Sequence, residues 1–433
     1  MIETACRVVG YTFRKRKLTP ILTVVHMVLA AIWPEESLQA SADLTWDSIA
    51  AACPKSPTKQ PSRGSFCKAR NRLPLAVWTH LHHAIASAVN TLSAPWSCWR
   101  GHRVVLVDGT CLSMSDVPEL HEAFGRQSGR YGESRYPLMR MVAVSLAATM
   151  TVLDYAFGSY RTDETALLRR LFDSLDEGDL LVADRHFAGA NLYCEYQRAG
   201  LEFLTKAHQR LNIGRLKVVE WLGENDFVAR MTVNKTYRRK DPSLPAFIEV
   251  RLVGAKVVGR ESPRPKPIWL VTSLLDAMAY PAAEIVELYG RRWGIETLFR
   301  QLKINLHADV LRSQTVDGVQ KELAARIIAL NCVHGLILQA AKTHDVDPMR
   351  VSFTGAVRAI LTFSPHFATA PPWKLPILQQ ALLQRIAHHI VPYRPGRIEP
   401  RAVTRERKHY PRFKTTRTLW KTQWQAALRK RHS

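Results

Sequence analysis

Tyr289-Gly290-Arg291-Arg292-Trp293-Gly294-Ile295-Glu296-Thr297-Leu298-Phe299-Arg300-Gln301-Leu302-Lys303 is the most informative stretch of this chain. On a helix turning about 100° per residue, Tyr289, Arg292, Glu296 and Lys303 fall at roughly 0°, 300°, 340° and 320°, one polar stripe. Ile295, Leu298 and Leu302 fall at roughly 240°, 180° and 220°, which gives the helix an apolar back to bury. The ordinary reading of such a pattern is a solvated amphipathic helix laced with ion pairs. Tyr289, Trp293 and the interior glycines Gly290 and Gly294 are poor choices for that. Each glycine costs up to about 1 kcal/mol against alanine, so something is expected to approach the backbone closely. The helix is predicted to start near Pro281, a favoured first-turn residue, and to run to about Leu306.

Two acids lie upstream in matching contexts. Asp108 follows the apolar run Val104-Val105-Leu106-Val107 and Asp184 follows Leu180-Leu181-Val182-Ala183. Short continuous apolar runs read as strands buried on both faces, and sites in open α/β sheets gather at the C-terminal ends of such strands. Either Asp alone is ordinarily a turn or N-cap residue, since Asp-Gly after a strand is common turn chemistry.

The rest of the chain sorts by pattern. Residues 1 to about 95 read as helical, with helices expected over Ile21–Trp33, Leu44–Ala52 and Leu75–Leu92 and a polar loop over Pro54–Gly64. The basic segment Ser65–Leu73 fits either a DNA contact or a solvated face. Further strands are expected at Met139–Leu146, Thr151–Phe157 and Leu201–Thr205, and helices over about Asp163–Leu175 and Ala190–Arg198. Residues 207 to about 275 read as a β-rich insertion. Helices return at Lys321–Lys342 and Trp373–Ile390, the stretch Leu323–Ala341 reading as core. The last 40 residues hold thirteen Lys or Arg against Glu399 and Glu406, an interaction segment or a disordered tail.

Composition restricts the partner class. The 433 residues are 46% hydrophobic and 23% charged, as in globular proteins. Their net charge of +24 makes nucleic acid the leading partner. The early apolar stretch Pro20–Trp33 contains His26 and is shorter than the roughly 20 residues that span a bilayer, so no membrane association is expected. Seven cysteines without a C-x-x-C pair indicate neither a disulfide framework nor a thiolate zinc site, which fits a reducing cytoplasm. His80, His82 and His83, with no acidic neighbour in register, are expected on a surface helix, and His388 and His389 likewise.

The Tyr-x2-Arg-x3-Glu-x6-Lys spacing of residues 289–303 resembles the third-carboxylate signature of the DDE transposases of the insertion-sequence-4 type. It matches at every fixed position. Asp-Gly-Thr at 108–110 and Leu-Leu-Val-Ala-Asp-Arg-His-Phe at 180–187 resemble that family's first two acidic motifs, and the likeness covers roughly residues 20 to 345. The resemblance implies an α/β, ribonuclease H-like core interrupted by a β-rich insertion, with a helical N-terminal DNA-binding domain and a helical, basic C-terminal region. The corresponding boundaries are 1–98, 99–206, 207–275, 276–345 and 346–433. Asp-Gly-Thr after a strand also occurs in haloacid dehalogenase-type phosphatases, but these need a nucleophilic Asp two residues earlier, where this chain has Leu106.

The resemblance also implies a chemistry. Three carboxylates make a hard, oxygen-rich site suited to two Mg²⁺ ions, with Mn²⁺ as a substitute. Asp108 is expected to bridge the ions while Asp184 and Glu296 hold one each. Water would first free a 3′-hydroxyl at the element end, and that hydroxyl would then attack the opposite strand, through a hairpin, and later the target. Arg292, Lys303 and Arg300 are expected on DNA phosphates, Tyr289 as a phosphate hydrogen-bond donor, and Trp269 either on an extruded base or in the core of an apolar strand. The expected partners are double-stranded DNA, as terminal inverted repeats and target, and a second copy of the chain that joins two ends. The expected location is the bacterial cytoplasm, at the nucleoid. The competing expectation is a retired transposase that binds DNA without cutting it.

Overall fold

The computed structural model describes residues 1–14, 17–33, 40–43, 45–47, 60–129, 132–133, 136–259, 262–392 and 417–431. Lys15 and Arg16, most of the helix expected at Leu44–Ala52, Cys53, most of the Pro54–Gly64 loop and residues 394–416 and 432–433 of the basic tail lie outside them. The other six cysteines are free thiols.

One mixed sheet organises the chain. Its main strands are β1 (His102–Met114), β2 (Leu138–Leu146), β3 (Val152–Ser159), β4 (Leu180–Ala183), β5 (Glu202–Lys206), β6 (Lys217–Gly223), β7 (Asp226–Thr232), β8 (Phe247–Gly259) and β9 (Ser262–Thr272). They lie in the order β3-β2-β1-β4-β5-β9-β8-β7-β6. The first three are antiparallel, β1, β4 and β5 are parallel, and β5 to β6 are antiparallel again. The four strands of the 207–275 region thus continue the same sheet.

The helices are α1 (Ile2–Val8), α2 (Pro20–Ile32), α3 (Arg63–Arg72), α4 (Leu75–Ser97), α5 (Pro118–Phe124), α6 (Glu164–Arg169), α7 (Ala190–Arg198), α8 (Lys235–Lys240), α9 (Ala282–Gly290), α10 (Trp293–Arg300), α11 (Val316–His344), α12 (Phe353–Thr369), α13 (Leu375–His388) and α14 (Arg417–Arg431). Apolar residues that alternate along β1 feed two cores. Val104 and Leu106 join the α9–α11 side, and Val105 and Val107 join the α6–α7 side. A third cluster packs Val24, Val77, Trp78 and Leu81 of the N-terminal helices on Ala324, Ala325 and Ile328 of α11. Among the described residues α11 is the helix long and apolar enough to cross a membrane, yet 83% of its most apolar window is buried inside the protein.

Two expectations about elements need correcting. Asp108 does not follow a finished strand: β1 continues through it to Met114, with Asp108 opposite Ala143 of β2, so Asp108-Gly109 is extended and forms no turn. The less buried residues after Val107 hid this continuation. The helix expected from Pro281 to Leu306 is interrupted. At Arg291-Arg292 the bonds shorten to i→i−3, from Arg291 N to Leu288 O and from Arg292 N to Tyr289 O, and after Arg300 the chain widens into a π-helical turn over Gln301–Asn305. Tight and wide turns change the rotation per residue, so the stripe computed for a straight helix is only approximate.

A buried arginine ties the outer strands to this helical segment. Arg251 on β8, 0% exposed, donates through Nε and Nη2 to Asp226 at 2.7 and 2.5 Å and through Nη1 to Tyr280 O at 2.7 Å, with longer bonds to Leu274 O and Asp276 O. Asp226 opens β7, and the three carbonyls belong to the segment that leads into α9.

Candidate active site

β4 pairs with β1 only as far as Ala183 opposite Val107. The next residues, Asp108 and Asp184, therefore stand side by side where the two strands part. Asp108 Oδ1 accepts its bond from Gly109 N at 2.8 Å. Asp184 caps the short 3₁₀ turn Arg185–Phe187 and accepts from His186 N at 2.6 Å.

The third acid arrives on α10 because of a glycine. A Cβ at Gly294 would lie 2.6 Å from Met150 Cε and 3.1 Å from Leu106 Cδ1. A side chain there would displace the end of Met150 and crowd Leu106, so glycine lets α10 rest closely on β1 two residues before Asp108. Gly290, by contrast, has nothing within 4 Å of its would-be Cβ, so the close approach expected at both glycines exists at one.

Arg292 joins the acids. Its Nη2 donates to Glu296 Oε1 at 3.0 Å while Nη1 stands 3.7 Å from Asp108 Oδ2, and its guanidinium lies 4.8 Å over the Trp293 ring. Its Nε is buried without a partner. Burial is the largest influence on Asp108 and pushes its carboxyl up to about 6; the Gly109 amide and Arg292 oppose the rise, while Asp184 and Glu296 add to it. Asp108 thus feels both other acids and one cation, Arg292. Tyr289 is buried, which raises its phenol to about 12 against the pull of Arg292, and the nearby charge of Asp184 raises it further.

The remaining candidates spread outward. Lys303 sits half-buried in the π turn, where burial holds its ammonium below the usual lysine range against Cys111 and Asp309. Arg300 is exposed at the end of α10. Trp269 is half-buried, its ring edge over Gly254 and 5.7 Å from Phe227. Beyond Phe227, at 4.9 Å, stands the more exposed Trp221, at 65%. Trp221 and Phe227 face each other across the β7–β6 pairing.

The histidine expectation fails in part. His82 is buried with Nε2 on Leu153 O, and burial lowers its pKa to about 4. Asp154 of β3 supplies the acidic neighbour, 3.3 Å from His83. The three side chains have the composition of a cation site, with ligand atoms within 4.8 Å of one another. Asp154 is nevertheless engaged by His83, by Ser174 Oγ and by the Tyr155 amide, which makes this a hydrogen-bonded joint between α4 and β3, buried at His82 and open at His83.

Comparison with known proteins agrees with this geometry. The profile of the family described as "Transposase DDE domain" matches residues 99–332, a span that contains all three acids. The transposase InsG of insertion sequence element IS4 from Escherichia coli (strain K12) is 26% identical over 327 residues, 74% of this chain and 71% of that protein. The putative transposase InsZ of the same organism is 25% identical over 103 residues, 24% of this chain and 34% of that protein. A solved structure of a piggyBac transposase synaptic complex with hairpin DNA covers 91% of this chain and 83% of its own at a TM-score of 0.41 and 11% identity, a likeness too slight to bear on the fold.

Proposed function

We propose, for a chain that belongs to the DDE transposases of the insertion-sequence-4 type, that Asp108, Asp184 and Glu296 are its catalytic acids and cut the ends of its element for cut-and-paste transposition. The convergence of Asp108 and Glu296 on Arg292, with Asp184 at the point where β1 and β4 part and Asp108 driven up by burial and by its two companions, carries this reading. Like charges held together, one of them largely buried, call for a cation.

The donor set is oxygen only, which suits a hard divalent ion and not zinc. Asp108, which feels both other acids, would hold Mg²⁺ together with Asp184 and Glu296, and Mn²⁺ would serve as a substitute. Bound there, such ions would supply activation of the attacking oxygen and stabilisation of the leaving one. The protein's own groups do the rest. Gly294 seats Glu296 beside Asp108. Arg292, whose second arm reaches Asp108, supplies the local positive charge and a planar fork for a phosphate beside the scissile bond. Tyr289 stays protonated at any physiological pH and donates its phenol hydrogen. Lys303 and Arg300 extend the cationic track along the DNA backbone. Trp269, with Trp221 behind it, offers an indole on which an unpaired base of a hairpin end can stack.

The order β3-β2-β1-β4-β5, three antiparallel strands followed by two parallel ones with acids where β1 and β4 part, supports a ribonuclease H-like core for 99–206 and 276–345. In the same reading, residues 1–98 form the DNA-end-binding domain, 207–275 an insertion and 346–433 the basic C-terminal region; two copies join the ends, acting on nucleoid DNA in the cytoplasm.

Nicking of a terminal-repeat duplex tests the assignment. Asp108→Asn, Asp184→Asn and Glu296→Gln are each expected to abolish Mg²⁺-dependent cleavage while gel-shift affinity for the same duplex stays within a few-fold. Wild type and Glu296→Gln equally inert, both binding tightly, would leave a DNA-binding protein that does not cut.

A further inference from the structure

A fourth carboxylate stands behind the first. Successive residues of a strand face opposite sides, so Asp108 turns toward Arg292 and α10, and the position of Gly109 turns toward α6. Glu164, the first residue of α6, occupies that position: a Cβ on Gly109 would lie 2.5 Å from Glu164 Cδ and 2.6 and 2.8 Å from its two oxygens. The same carboxylate is 3.8 Å from Arg140 Nη1, on the neighbouring strand, and 3.8 Å from His186 Nε2. His186 in turn stands 3.7 Å from Asp163 and gives its backbone N–H to Asp184. Glu164 is thus one residue from Asp108 on one side and one side chain from the Asp184 turn on the other, and its side chain is 20% exposed.

We propose that Glu164 is a positioning residue for Asp108 and Asp184: its carboxylate, seated on the back of Gly109 and facing Arg140 and His186, sets the separation of the two acids. This rests on the reading of those acids as catalytic. The carboxylate lies on the opposite face of the sheet from Arg292, so it acts through the backbone of Gly109 and the turn at His186. The absence of a side chain at residue 109 is what makes room for it.

The test uses the full chain and Mn²⁺ itself, its free fraction read by electron paramagnetic resonance, beside steady-state cleavage of an end duplex and thermal melts. Glu164→Ala is expected to raise the Mn²⁺ half-saturation concentration and lower kcat, each by about 10- to 100-fold, with KM for the duplex unchanged. Glu164→Gln, which keeps the shape, is expected to recover part of both. Gly109→Ala should reproduce the loss, and Gly109→Ala with Glu164→Ala should be no worse than Glu164→Ala, because the methyl then enters vacated space. A Glu164→Ala protein that melts lower but binds Mn²⁺ and cleaves like wild type would overturn the positioning role, as would a Glu164→Gln protein as impaired as Glu164→Ala. Asp108→Asn, carried in parallel, separates the two ideas: if it too binds Mn²⁺ and cleaves normally, the catalytic reading itself is wrong.

Discussion

Asp108 shows how the demands of a cation site differ from those of folding. Its carboxyl is raised from 3.8 to about 6, chiefly by burial. A carboxyl whose folded pKa lies above its unfolded one favours the folded state below the unfolded pKa, and that advantage is lost as pH rises through about 6. At neutral pH the ionised acid therefore destabilises the metal-free protein, by up to about 3 kcal/mol for two pKa units. Asp108→Asn is expected to melt a few degrees above wild type in EDTA at pH 8, the gap narrowing below about pH 6 and closing near pH 4. Melts across that range check it, and a gap that ignores pH would assign the effect to packing. Proximity of an acid to an apolar run was legible for Asp108 and Asp184 because strand and site abut. Glu164 was not legible, since nothing local tells that the first residue of a helix will sit on a glycine from a different strand.

The helix that carries Glu296 was readable in its chemistry and misread in its geometry. Four polar residues at offsets 0, 3, 7 and 14 pointed to one face, but the 3₁₀ tightening at Arg291-Arg292 and the π widening after Arg300 are set by what the segment packs against, which periodicity does not contain. The two glycines separate these causes. Gly294→Ala is expected to push α10 off Leu106 and Met150, destabilise the protein by about 1–3 kcal/mol and lower cleavage. Gly290→Ala, in open space, is expected to leave cleavage intact and to stabilise the helix by up to about 1 kcal/mol. Urea melts and nicking rates of the two proteins check this, and equal losses would show that Gly294 has no special packing role. The continuous β1 was hidden for a related reason: its second half is held by pairing with β2, and pairing leaves no mark on an apolar pattern.

Charge belongs to the whole molecule. Of the net +24, a large share sits on residues 394–433, with thirteen Lys or Arg; the described part of that segment, α14, exposes Lys421 and Arg429. Deleting 394–433 is expected to weaken binding to any duplex and to flatten the slope of log affinity against log salt, since fewer counterions are released. Filter binding from 50 to 200 mM salt checks it, and an unchanged slope would place the phosphate contacts elsewhere. At this scale the mixed α/β character of the chain and the β-rich character of 207–275 were legible, from alternation and Gly and Pro punctuation. That those strands would extend the central sheet was not, because the edge they join is chosen by β5 and by Arg251. That arginine has a consequence for anyone trimming the chain. A guanidinium with no water around it must keep Asp226 and three backbone carbonyls, or become an isolated charge in an oily interior. Outer hairpins and the lead-in to the glutamate's helix are therefore expected to melt together, and cutting away the outer strands is expected to loosen the segment that leads to Glu296.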